Sequence, residues 1–150
     1  MPGWIAVHAI ALLSLASPCA TNPRVRRLDY WLGAWVIQAN GGAGTSRVSL
    51  SLDGCVFTES WTGARNHRGE NVLAYSVEDS TWRAFFADNE GRVHVFSNGS
   101  VAGDTADFTG AANRIRIIRE GPDRVKQIWE KSGKVVFEGT YTRRRSAPLR

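Results

Sequence analysis

From Gly33 onward, short apolar runs alternate with polar residues and are cut by turn signals every eight to twelve residues, and no stretch carries a helical period. Alternation at period two sends successive side chains to opposite faces of a sheet, so this rhythm predicts antiparallel β-structure. Strands are expected near 34–39, 46–52, 55–62, 71–77, 81–88, 92–98, 104–109, 113–119, 124–131 and 134–143, after a short helical turn at Leu28–Leu32. Asp53-Gly54 and Ser132-Gly133 read as two-residue hairpin turns, because Asp, Ser and Gly tolerate positive φ. Asn40–Gly44 and Asn98-Gly99 read as looser turns, and Gly63–Gly69, which holds His67, as a loop at one rim. Connections this short favour a single up-and-down β-barrel over a sandwich, whose sheets need long crossovers. Eight strands enclose just enough room for side chains or one small ligand, so about ten leave a lumen that is either plugged by large side chains or occupied.

The first residues have a different character. Ile5 to Leu15 is apolar apart from His8 and Ser14, and small residues follow around Ser17, Pro18, Cys19 and Ala20. That is the layout of a secretory leader, 1–20, cleaved near Ala20, and it predicts a secreted or periplasmic protein. Pro18 stands where a lipidated Cys19 would want a small residue. Cleavage at Ala20 removes Cys19 and leaves Cys55 without a partner, so the expectation is no disulfide and a buried, inert Cys55 thiol. The formal charge of +5 is mostly arginine scattered over many strands. Without a basic stripe or a nucleic-acid-binding motif, nucleic acid is not expected as a partner. An anionic membrane surface is the alternative partner for such an exterior.

Strand parity selects the inward faces. It places Cys55, Phe57, Glu59 and Trp61 together, then Tyr75, then Trp82, Ala84 and Phe86, then Val125, Gln127 and Trp129, and finally Val135, Phe137 and Tyr141. Arg114 and Arg116 point the other way, into water. Glu59, Trp61, Tyr75, Phe86, Gln127 and Trp129 are therefore the expected ligand-binding residues: aromatic walls with a few polar groups. The competing reading is a filled barrel in which Glu59 and Gln127 serve the indole and phenol groups as hydrogen-bond partners. A carboxylate on an apolar face is costly unless paired, so the expectation for Glu59 is a buried pair with an arginine such as Arg83, with a raised-pKa acid or ligand anchor as the functional alternative. No catalytic set, metal site or cofactor is predicted. The mature histidines are only His67 and His94, and no G-x-S-x-G, H-E-x-x-H or phosphate-binding glycine loop is present.

Leu32-Gly33-Ala34-Trp35 resembles the G-x-W opening of the calycin superfamily, the lipocalins and fatty-acid-binding proteins. In that group the tryptophan enters the base of the barrel and often stacks under a late arginine, a role Arg143 or Arg144 could fill here. Together with Asp53-Gly54-Cys55-Val56, Glu59-Ser60-Trp61-Thr62-Gly63, Gln127-Ile128-Trp129-Glu130 and Gly139-Thr140-Tyr141-Thr142-Arg143-Arg144, the pattern is similar to exported bacterial lipocalin-like proteins of unknown function, over residues 28–144. The resemblance implies the barrel and supplies no activity. Ala84 and Phe86 stand where that family carries polar or indole side chains. Ten-stranded haem barrels use a late axial histidine, and none follows His94.

The leading functional expectation is an exported barrel that binds a small, largely apolar molecule. The alternatives are a lyase- or isomerase-type enzyme using Glu59 as acid or base with Tyr75 as donor, and a structural envelope protein with a filled lumen.

Overall fold

The computed structural model describes residues 17–145; the apolar run read as a leader lies outside the described residues. The strands are β1 (Gly33–Ala39), β2 (Gly42–Ser51), β3 (Val56–Thr62), β4 (Arg68–Ser76), β5 (Thr81–Asp88), β6 (Val93–Ala102), β7 (Thr105–Gly110), β8 (Asn113–Gly121), β9 (Arg124–Lys131) and β10 (Lys134–Arg143). Each pairs antiparallel with its neighbours in sequence, and β1 also pairs with β10, which closes the barrel. Closure leaves no edge strand with unpaired backbone groups. The ten-strand reading holds, and the differences lie in the joints.

Ser132 and Gly133 both have positive φ, 50° and 75°, as a two-residue hairpin requires. At the other predicted hairpin the left-handed stretch is longer: Leu52, Asp53 and Gly54 all have positive φ, and the connection runs from Leu52 through Cys55. Asn98-Gly99 is not a turn, because β6 runs straight through it. A Cβ on Gly99 would come within 2.6 Å of the Phe108 ring and 2.8 Å of Trp82, so this glycine serves packing.

One end of the barrel is filled. Helices α1 (Pro18–Thr21) and α2 (Pro23–Arg26) and a 3₁₀ turn at Asp29–Trp31 lie across it, with Val25, Leu28 and Trp31 buried. Trp35, Phe57, Trp82, Phe96 and Phe108 fill the space above them. Trp82 contacts Phe57 at 5.9 Å, Tyr75 at 5.7 Å and Phe108 at 6.5 Å between ring centroids. Arg24 and Arg26 hold the segment from outside: Arg24 donates to the Tyr75 hydroxyl (2.8 Å) and Arg26 to the Gly54 carbonyl (2.6 Å).

Trp35 and Arg143 are direct register partners on β1 and β10. The Arg143 guanidinium lies 4.3 Å from the Trp35 ring and donates to the Leu32 (2.5 Å) and Tyr30 (3.1 Å) carbonyls, while the Trp35 indole N–H donates to the Trp31 carbonyl (2.9 Å). Gly33 (φ +129°) makes room, since a Cβ there would lie 2.5 Å from Arg143 Nη1. Of the two arginines expected under the tryptophan, Arg143 takes the place.

Two further expectations fail. Cys55 is not a free thiol: it forms a disulfide with Cys19, which ties α1 to the β2–β3 connection. Its partner is the cysteine that the sequence places in the cleavage region. Val135 points outward and is about half exposed, because a register shift between Val135 and Phe137 reverses the parity there.

The bridge spans 36 residues of sequence, a loop whose closure stabilises by about 3 to 4 kcal/mol on chain-entropy grounds. Cys55→Ser, or reduction of the native chain, should lower the unfolding free energy from urea titration by that amount, and Ellman titration of the unreduced chain should find no reactive thiol. Arg143→Ala removes the cation–π contact and strands two carbonyls, so it should cost about 2 to 3 kcal/mol in the same assay.

Candidate functional site

The opposite half of the lumen is open. A chamber of about 730 Å³ runs from the polar middle of the barrel to the mouth formed by the β1–β2, β3–β4, β5–β6, β7–β8 and β9–β10 connections. Its walls include Trp61, Phe86 and Trp129. Phe86 lies nearly parallel to Trp61 at 6.0 Å and edge-on to Trp129 at 4.7 Å, so the three rings form one continuous group. Asn40 to Gly44 form a lip almost without side chains on one side.

The floor is polar. Glu59 has no exposed surface, and its carboxylate accepts from the Ser46 hydroxyl (2.6 Å) and from the Asn71 amide (2.6 Å). Asn71 sits directly opposite Glu59 in the β3–β4 register. Across the floor the Tyr141 hydroxyl donates to the Gln127 side-chain carbonyl. No cation balances Glu59 among the described residues. Burial pushes its carboxyl up to about 7, although both hydrogen bonds act the other way. Burial also raises the Tyr141 phenol well above its ordinary value, with a smaller contribution from the Glu59 charge. The expected Arg83 partner is elsewhere: Arg83 has the outward parity of β5 and pairs with Asp79 on the surface.

The rim carries charge. Asp88 takes hydrogen bonds from His67 (3.0 Å) and from Arg92 Nε (2.7 Å), and the Glu90 and Arg92 backbone N–H groups add two more. Burial alone would raise the Asp88 carboxyl, but these donors outweigh it and hold it well below the usual carboxylate range. His67 meets the Trp61 ring edge-on at 4.8 Å. On the other side the Trp129 indole donates to Asn113 (3.0 Å), whose amide lies 3.3 Å from His94 Nδ1. Burial, then Lys131, lowers the His94 imidazole from its ordinary value. Loop 63–67 therefore rests on the chamber wall, fixed by Asp88.

Of the residues expected on the ligand face, Glu59, Trp61, Phe86, Gln127 and Trp129 border this chamber. Tyr75 does not: it points inward but at the filled end, where its ring packs on Trp82 and its hydroxyl meets Arg24. Parity fixes the face of a strand residue and leaves its height along the barrel open. Ser46, Asn71 and Tyr141 complete the floor. Register could have found Asn71, since β3 and β4 are joined by a short loop and Glu59 and Asn71 have matching parity. The arginines Arg114 and Arg116 point outward as expected, but they are paired with Asp107 and Glu130.

A scan against protein-family models finds no match, and no curated protein matches the sequence. Among solved structures, one described as "De novo design of a fluorescence-activating beta barrel" is similar in shape, with 13% sequence identity and a TM-score of 0.47, covering 77% of this chain and 95% of that one.

The raised Glu59 carboxyl has a definite sign. The folded state holds the proton more tightly than the unfolded chain, whose carboxyl has the ordinary value of 4.5. Its contribution to stability is complete below pH 4.5 and is lost as pH rises to about 7, by about 3 kcal/mol in total. Urea midpoints of the native chain should fall across that window relative to Glu59→Gln, in which an amide can accept from Asn71 and donate to Ser46. Equal slopes in the two proteins would assign the titration to another group.

Proposed function

We propose that this protein is an exported, lipocalin-like barrel that holds a small, largely apolar molecule in the open half of its lumen. The observation that carries the reading is the division of the interior: aromatic side chains fill one half, and a chamber of about 730 Å³, within the range of small-molecule sites, is left in the other. Its walls offer Trp61, Phe86 and Trp129 to an apolar body, and Asn71 and Gln127 set polar groups at the inner end. The acid–base alternative is weaker, because Glu59 has no exposed surface and both of its oxygens are occupied.

The stacking of Arg143 on Trp35 supports kinship with the lipocalin-like family that the sequence resembles. The Cys19–Cys55 disulfide supports an oxidising compartment. On this reading the leader is cleaved before Cys19, and intact mass of the exported protein should show a chain that retains it.

Binding is tested with prodan, an uncharged environment-sensitive fluorophore. Its emission should shift to the blue on mixing with the oxidised full chain, with quenching of tryptophan emission, and Trp129→Ala should weaken binding about fivefold. Emission that stays at its aqueous position would reject a binding chamber.

A further inference from the structure

The floor of the chamber is an ordered array of hydrogen-bonding groups with two atoms left over. An ionised carboxylate can only accept, so the Asn71 amide must turn its NH₂ toward Glu59, which directs Asn71 Oδ1 away from it. The Tyr141 hydroxyl donates to Gln127 Oε1, which leaves the Gln127 NH₂ as the free end of that amide. Asn71 Oδ1 and Gln127 Nε2 have no partner among the described residues, and both side chains border the chamber. They come from β4 and β9, on opposite sides of the ring, and so present one acceptor and one donor across the floor.

We propose that this floor selects an uncharged ligand head carrying both a hydrogen-bond donor and an acceptor, as a lactam or a secondary amide does, read by Asn71 Oδ1 and Gln127 Nε2. The inference rests on the small-molecule reading above and specifies the ligand class for that chamber. A purely apolar head would leave two polar atoms desolvated without partners. An anionic head would approach Glu59 with no cation in the layer to offset it, since the groups packed around that carboxylate are Ser46 and Val48 of β2, Asn71 of β4 and Tyr141 of β10, with Glu70 adding further negative charge on β4. An ammonium head could not reach Glu59, whose oxygens are covered by Ser46 and Asn71 and have no exposed surface, and would face the Gln127 N–H groups. Glu59 and Tyr141 are positioning residues: each fixes which end of a neighbouring amide meets the ligand.

The test compares three uncharged bicyclic probes on the oxidised full chain at pH 8 by calorimetry: 2-quinolinone, with adjoining N–H and C=O; N-methyl-2-quinolinone, with the acceptor alone; and naphthalene, with neither. The 2-quinolinone should bind at least tenfold more tightly than either of the others, and Gln127→Leu and Asn71→Leu should each remove about tenfold of that preference. The preference of the native chain should decline between pH 8 and pH 5.5, as protonation of Glu59 releases the Asn71 amide to turn, and Glu59→Gln should abolish this pH dependence. The three-probe comparison on the native chain stands by itself if a variant fails to fold. Equal binding of the three probes, or tighter binding of 2-naphthoate or 2-naphthylmethylammonium than of 2-quinolinone, would overturn the inference. If prodan still binds, the binding chamber survives that result; if prodan and all the bicyclic probes fail to bind, both readings fall.

Discussion

The seam where β1 meets β10 is the constraint on which the remainder depends. Until those strands pair, the sheet has two open edges and the inward side chains have no common axis. The seam is built from the beginning and end of the chain, so its contacts have the greatest sequence separation in the fold. Arg143 sits there over Trp35 and reaches the carbonyls of Tyr30 and Leu32, which binds the last strand to the turn that precedes the first. A guanidinium suits the task because it stacks on an indole with its face while donating from its edge.

Closure then partitions the interior by height. Near the seam contacts, indole and phenyl groups interlock with the buried face of the N-terminal segment, and this half supplies most of the hydrophobic stabilisation of the molecule. The other half contributes less packing and contains a feature that works against folding at neutral pH, a buried carboxyl without a cation. Such a group persists where its neighbours are arranged around it. Ser46 and Asn71 supply that arrangement, and the uncompensated charge in turn fixes the direction of the Asn71 amide.

Much of this was legible in the sequence because a strand has a period of two. Parity alone put Phe57, Glu59, Trp61, Phe86, Gln127 and Trp129 inside, and Arg114 and Arg116 outside. It cannot give height: Tyr75 shares the inward parity of the chamber residues yet packs at the filled end. It failed at Val135, where a bulge inserts a residue with no sequence mark. The Arg83 assignment fails by the same rule that succeeds elsewhere, since Arg83 alternates with the inward Trp82 and Ala84. The disulfide was obscured because small residues around Cys19 satisfy a cleavage site and a helical cap equally well; Ser17 caps α1 through the Cys19 amide.

The covalent tether at the filled end also has a kinetic meaning. With α1 stapled to the β2–β3 connection, displacing the plug as a back door would have to work against a covalent bond. Among the described residues the chamber opens at the other end, bordered by the bare backbone of the glycine lip and by loop 63–67, where His67 bonds Asp88. Under the proposed function, a guest's residence time would be set at that rim.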